Sequence, residues 1–344
     1  MTASRATAWA DALRQSWLQP GPLGRALLPV AWVYGTLMRI RQWLYRLHLL
    51  RAQQVGVPVI VVGNVIAGGT GKTPVVISMV EHCQARGLRV GVIARGYGRS
   101  GSACLEVTRR TDPSLVGDEP FLIHRRTSAP MFVASRRVDA ARALLDAYPS
   151  TQLIISDDGL QHLALHRDLE IGVFDDRGVG NGWLLPAGPL REPWPRPLDI
   201  VLHTGAKPKF DGYVVHRTLS NNARRWDGEA WPLAALAALS DRPLLALAAI
   251  AQPEGFFAML RAQGVTQFET LALPDHFNFE SFKPNEYKGY RLICTEKDAV
   301  KLWPLVPDAL AVPLNCTLPS ALWDELDQRI SALLAASPNQ APRA

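Results

Sequence analysis

Cysteine is scarce in this chain: four residues in 344, at positions 83, 104, 294 and 316. They form no Cys-x-x-Cys pair, and no histidine stands at metal-ligand spacing from them. This excludes a disulfide framework and a structural zinc site, and it predicts reduced thiols in a cytosolic compartment. Long apolar runs are missing too. The uncharged stretch between Arg25 and Arg39 is shorter than the roughly 20 residues a spanning helix needs, and Pro29 and Gly35 weaken it as an uninterrupted helix. The opening residues lack a basic start, an apolar stretch and a small-residue cleavage site in that order, so no cleavable signal peptide is expected. Internal repeats are absent.

What is present is a globular chain of about two domains at the usual ~100–200 residues each. Its composition is 48% hydrophobic and 20% charged, enough apolar content for a sizeable core. The formal charge of +6 and the pI near 9.3 suit a phosphate-rich or anionic partner. Arginines are dispersed and no helicase or recognition motif occurs, which argues against nucleic acid.

Downstream of the uncharged stretch, Leu37, Ile40, Leu44 and Leu47 fall on one helical face and Arg39, Gln42 and Arg46 on the opposite one, with Arg41 at the margin. Trp32, Tyr34, Trp43 and Tyr45 add amphipathic rings. The pattern fits a helix lying in a membrane interface with its basic side toward anionic headgroups. It also fits an amphipathic helix packed on its own domain.

Residues 58–62, Pro-Val-Ile-Val-Val, suit a strand buried on both faces of a parallel sheet. A glycine-rich turn follows, Gly63-Asn64-Val65-Ile66-Ala67-Gly68-Gly69-Thr70-Gly71-Lys72-Thr73, and then a helical pattern from Thr73 to about Arg86. Strand, glycine turn, Lys-Thr and helix make a phosphate-binding loop. Gly68, Gly69, Thr70 and Gly71 let backbone N–H groups face phosphate oxygens, and the helix N-terminus adds partial positive charge. Lys72 reaches the β and γ phosphates of ATP, and the Thr73 hydroxyl ligates Mg²⁺. The strict pattern wants glycine at position 66, where this chain has Ile66.

Magnesium needs a carboxylate at a neighbouring strand end. Leu153-Ile154-Ile155-Ser156-Asp157-Asp158-Gly159 supplies two, emerging where open α/β sheets bind ligands. Gly117-Asp118-Glu119-Pro120 opens a helical stretch ending near Arg126. Asp118 reads either as an N-cap or as a base that takes the proton of an attacking hydroxyl. Arg95-Gly96-Tyr97-Gly98-Arg99 follows the buried run 90–93 and could clamp a substrate phosphate.

Taken in order, these blocks resemble the tetraacyldisaccharide 4'-kinases. The resemblance runs through Asp157-Asp158-Gly159-Leu160-Gln161-His162, His166-Arg167-Asp168-Leu169, the stretch 185–193 (Leu-Pro-Ala-Gly-Pro-Leu-Arg-Glu-Pro), Pro274-Asp275-His276 and 295–302 (Thr-Glu-Lys-Asp-Ala-Val-Lys-Leu). It spans about residues 25 to 303. It implies transfer of the ATP γ-phosphate to the 4'-hydroxyl of an acylated disaccharide 1-phosphate lipid, at the cytoplasmic face of the Gram-negative inner membrane. It implies a P-loop NTPase-like α/β/α lobe, a second smaller α/β lobe and an N-terminal membrane-associating helix, with peripheral or monotopic attachment. By the same resemblance Lys72 and Asp118 are catalytic, with His276 as the partner of Asp118. Asp157, Asp158, Thr73 and Glu119 stand on the metal side, and Arg95, Tyr97, Gln161, His162 and Arg191 near the substrate.

The expected division is 1–54 membrane-associating, 55–205 nucleotide-binding, 206–336 second lobe and 337–344 a disordered tail. Leu244–Ile250 reads as a buried strand before a helix from Gln252 or Pro253, and Leu322, Leu326, Ile330 and Leu333 mark a terminal amphipathic helix. The segment 206–240 suggests no role. A guanine-reading switch protein is the main rival, but in Thr295-Glu296-Lys297-Asp298 the lysine and aspartate are adjacent, which is the wrong spacing for reading guanine.

Overall fold

The first apolar run becomes β1, Val59–Gly63, near the centre of an eight-stranded sheet in a computed structural model that describes residues 12–238, 242–275 and 277–336. The sheet continues with β2 (Val90–Ala94), β3 (Leu105–Glu106), β4 (Met131–Val133), β5 (Leu153–Asp157), β6 (Leu169–Phe174), β7 (Ile200–His203) and β8 (Tyr213–Val214). Their order is β3-β4-β2-β5-β1-β6-β7-β8, parallel except where β3 meets β4. All five residues of β1 are buried because both faces of the sheet are covered. Ile60 and Val62 join one hydrophobic cluster while Val59 and Val61 join another. This alternation makes a three-layer α/β/α sandwich out of a run that shows no polar alternation in sequence.

After β8 the chain forms β9 (His216–Leu219), β10 (Asn222–Arg224) and β11 (Ala230–Pro232), so the segment from 206 carries short strands joined by turns, followed by a short helix Leu233–Ala238. A second, six-stranded sheet has the order β11-β10-β15-β14-β12-β13, with β12 Leu244–Ala248, β13 Glu269–Ala272, β14 Arg291–Thr295 and β15 Leu310–Val312. It too is buried on both faces: Leu244, Ala246 and Ala248 face one cluster, Leu245 and Leu247 the other. The last strand, β16 (Leu314–Thr317), pairs antiparallel with β9 in a two-stranded ribbon between the sheets.

The terminal helix Ser320–Ala336 then returns to the first core. Leu322, Leu326 and Ile330 pack in the same cluster as Val75, Val76 and Met79. The tail expected from residue 337 lies outside the described residues.

The N-terminal helix Pro22–Arg46 runs for 25 residues straight through Pro29, so the expected interruption is not found. Its glycines act as contact points. A Cβ on Gly35 would lie 2.6 Å from the Leu184 side chain, and one on Gly24 would lie 2.9 Å from the Ala187 carbonyl. Small residues thus let the helix sit close against the loop that carries Arg191, and the Tyr34 hydroxyl donates to the Arg191 carbonyl at 2.6 Å. The outer face leaves Trp32, Val33, Leu37, Ile40 and Trp43 exposed. No helix among the described residues is long and apolar enough to cross a membrane.

Candidate active site

The loop after β1 is shaped by two left-handed glycines, Gly68 (φ 92°) and Gly71 (φ 78°), the second capping the helix Lys72–Ala85. A side chain at either would strain the backbone. The loop is tied on three sides: Asn64 Nδ2 donates to the Gly68 carbonyl (3.1 Å), Arg177 Nη2 to that of Gly69 (2.7 Å) and Thr204 Oγ1 to that of Thr70 (2.7 Å). Ile66 is fully buried and bridges to Leu190, while Ala67 N donates to the Pro189 carbonyl. The missing glycine is therefore a core contact: the first half of the loop pairs with residues 189–191, and only the second half is free to wrap phosphate. Lys72 Nζ lies 3.1 Å from Asn64 Oδ1 and 3.6 Å from Asp158 Oδ1. Thr73 is the second residue of the helix and half-buried.

The register of β1 against β5 pairs Val62 with Asp157, which sets the acidic pair beside the mouth of the loop. Asp157 is buried, and its Oδ1 has no hydrogen-bond partner among the described residues. Burial first, then the neighbouring Glu119 carboxylate, raise its pKa to about 7 against the opposing pull of Lys72. Asp158 takes a left-handed turn (φ 49°) that aims it elsewhere. Burial would raise its carboxyl, but Lys72 and Arg191 outweigh burial and lower it to about 2. Arg191 Nη1 donates to both its oxygens, at 2.8 and 3.0 Å. Behind the turn, buried Arg137 donates to the carbonyls of Asp157 and Asp158, and burial lowers its pKa to about 10.

His162 lies close by, lowered to about 3 by burial and then by Arg137, Arg95, Arg41 and Arg167. It is neutral at physiological pH and brings no charge to a substrate phosphate. Gln161 Nε2 donates to the Asn64 carbonyl (3.1 Å) and to Glu192 Oε1 (2.7 Å), bracing the root of the phosphate loop.

Asp118 opens the helix Asp118–Thr127, and the cap is Gly117, not Asp118. Gly117 has φ 93°, and a Cβ there would lie 2.9 Å from the Tyr97 carbonyl. The loop holding Arg95 and Tyr97 thus packs on the turn that presents Asp118, and both side chains are exposed. Asp118 Oδ2 pairs with Lys301 at 2.6 Å. Glu119 reaches Lys297 at 3.9 Å and also faces Asp157 closely enough to raise it. His276 lies outside the described residues.

The structure therefore gathers Lys72, Asp157, Asp158, Glu119, Gln161, His162 and Arg191 at the carboxyl edge of the first sheet. Sequence reasoning gave no role to Asn64, Arg137, Arg177, Lys297 or Lys301. The two lysines could have been suspected from their four-residue spacing, which puts them on one helical face.

A family model described as Tetraacyldisaccharide-1-P 4'-kinase matches residues 23–331. A tetraacyldisaccharide 4'-kinase of Acidovorax sp. (strain JS42) is 55% identical over 94% of this chain and 96% of its own length. One from Polaromonas naphthalenivorans is 54% identical over 95% and 97%. The crystal structure of "apo" form LpxK from Aquifex aeolicus in complex with ATP superposes with a TM-score of 0.77 at 27% identity, covering 91% of this chain and 99% of that one.

Proposed function

Because the chain belongs to the tetraacyldisaccharide-1-P 4'-kinase family, we propose a division of labour among the residues at its sheet edge. The chain is an ATP-dependent kinase that transfers the γ-phosphate of ATP to the 4'-hydroxyl of tetraacyldisaccharide 1-phosphate, in lipid A biosynthesis. The observation that carries the assignment of roles is the Val62–Asp157 register, which brings Lys72 and the two aspartates to one mouth.

Lys72 leaves Asn64 and Asp158 to hold the β and γ phosphates, while the amides of Gly68 to Thr73 line the loop. Asp118, at the start of a helix whose next residue faces Asp157, accepts the 4'-hydroxyl proton as that oxygen attacks the γ phosphorus. His276, next to Asp275, is its partner on this reading. Arg191 orients Asp158, and Arg95 and Tyr97 are placed at the entrance to meet the sugar phosphate.

Magnesium fits this donor set. The orphaned Oδ1 of buried Asp157 lacks a partner that a cation would supply, and the Thr73 hydroxyl stands at the helix start. No cluster of three or more His, Cys, Asp or Glu among the described residues forms a cage. That suits a cation held by one or two protein oxygens, phosphates and water. Bound there, it would neutralise charge on the transferring phosphoryl group. Asp157 and Thr73 are the residues to hold it, with Asp158 and Glu119 flanking.

Attachment is peripheral or monotopic, at the cytoplasmic face of the inner membrane. Exposed Trp32, Val33, Leu37, Ile40 and Trp43 beside Arg39, Arg41 and Arg46 support this placement.

The test is Asp118→Ala assayed with γ-labelled ATP and the lipid disaccharide monophosphate. Bisphosphate formation should fall roughly 10²-fold or more while ATP binding persists. Unchanged turnover would remove Asp118 from the role.

A further inference from the structure

The ion pair between Lys301 and Asp118 joins the two sheets at the site, and nothing in the phosphate chemistry above uses it. Lys301 Nζ is 2.6 Å from Asp118 Oδ2, with only 29% and 12% of the two side chains exposed. Lys301 sits on the helix Glu296–Leu302, which starts at the end of β14 in the second sheet. That helix is held firmly at its start. Asp298 N donates to Thr295 Oγ1 (3.2 Å), and the Asp298 carboxylate accepts from Ala249 N (3.0 Å) and the Thr295 hydroxyl (2.7 Å). One turn before Lys301, Lys297 reaches both Glu119 (3.9 Å) and Asp275 (3.7 Å).

The same two helices meet through other contacts as well. Arg126 Nη1 already bridges to Glu296 at 2.8 Å, and the Arg125 guanidinium lies 4.1 Å from the Trp303 ring centroid. Those contacts clamp the two helices along their length. The Lys301 contact lands on the first residue of helix Asp118–Thr127 and meets its carboxylate at Oδ2.

We propose that Lys301 is a positioning residue for phosphoryl transfer: from the second sheet it anchors Asp118 through Oδ2, so that Oδ1 faces the sugar hydroxyl. The inference rests on Asp118 being the base. In the step it serves, the 4' O–H bond breaks and its proton passes to Oδ1. The oxygen forms a bond to the γ phosphorus, and the β–γ bridging bond breaks with its electron pair leaving on ADP. Lys301 keeps its own protons throughout. Its effect is to remove the rotation of the carboxylate that would otherwise misalign the acceptor oxygen, the kind of misplacement that can cost on the order of 10²-fold.

The experiment compares full-length wild type with Lys301→Met, Lys301→Arg, Lys301→Ala, Asp118→Asn and Asp118→Asn/Lys301→Met. It measures kcat and KM for ATP and for the lipid acceptor. Lys301→Met should lower kcat by ~10–100-fold with KM for ATP changed by less than about threefold. Lys301→Arg should keep most of the rate, and added ethylammonium should restore part of the activity of Lys301→Ala. In the Asp118→Asn background Lys301→Met should add nothing, because the lysine acts through the carboxylate. Normal kcat in Lys301→Met, with Asp118→Asn inactive, overturns the lysine inference and leaves the base assignment standing. A loss of kcat that neither arginine nor ethylammonium relieves also overturns it. Full activity in Asp118→Asn overturns the base assignment, and the inference with it.

Discussion

Lys72 Nζ and Asp158 Oδ1 stand 3.6 Å apart across the mouth of the phosphate loop, with Asn64 Oδ1 completing the lysine's seat at 3.1 Å. The ammonium that meets nucleotide phosphate is thus held by two oxygens of the protein until phosphate replaces them. Lys72→Met should lower turnover by roughly 10²-fold or more, since positioning and charge stabilisation carry phosphoryl transfer. Steady-state kinetics with equilibrium ATP binding checks this, and a rate within threefold of wild type would contradict it.

Asp157 offers a pH signature. Its carboxyl, raised to about 7, stays protonated in the fold over a range, from about pH 4 to 7, where an unfolded chain would ionise it. Its stabilising contribution is fully present below about pH 4 and is lost as pH rises through about 7. In metal-free protein Asp157→Asn should therefore gain thermal stability over wild type at pH 8 and lose that advantage at pH 5. Magnesium binding near pH 6.5 should release a proton that the variant does not release, which calorimetry in buffers of different ionisation enthalpy would detect. Equal proton release by both proteins would exclude Asp157 as the titrating ligand.

Ile66 occupies the position where a strict phosphate loop has glycine, yet it is fully buried in the cluster that holds Val59 and Val61. Ile66→Ala should destabilise the protein by about 2–5 kcal/mol through the cavity it leaves. Chemical denaturation measures the loss, and a midpoint unchanged from wild type would show that the residue is not a core element.

The exposed rings and aliphatics of the helix Pro22–Arg46 should bind vesicles containing anionic lipid. The variant Trp32→Ala/Ile40→Ala/Trp43→Ala should sediment with such vesicles at least about tenfold less than wild type, because each loses buried apolar area in the headgroup region. Raising salt should weaken wild-type binding by screening Arg39 and Arg46. Undiminished sedimentation of the triple variant would send this helix back to a purely internal role.

The periodicity and punctuation of the chain made β1, β2, β5 and the helix after the phosphate loop legible to within a residue or two: Val59–Gly63 against an expected 58–62, Val90–Ala94 against 90–93, Lys72–Ala85 against Thr73 to about Arg86. Local rules sufficed there because a buried parallel strand is a continuous apolar run and a glycine turn has few conformations. They failed at Pro29, where packing of Gly24 and Gly35 on residues 184–187 outweighs a helix-breaking preference. They failed also at residues 206–240, where β9 and β10 pair with β16 and β15, roughly ninety residues on.

Sequence by itself determined that this protein grips a nucleotide phosphate and which acids could share the site, since glycine freedom, lysine charge and a strand-end carboxylate are properties of residues in local order. Tertiary structure decided which aspartate burial and a neighbouring carboxylate push upward, that burial and nearby arginines hold His162 well below the usual imidazole range, and that lysines on the helix after β14 reach Asp118 and Glu119. Those outcomes depend on desolvation and on distances between groups far apart in the chain, and neither quantity exists until the sheets have packed.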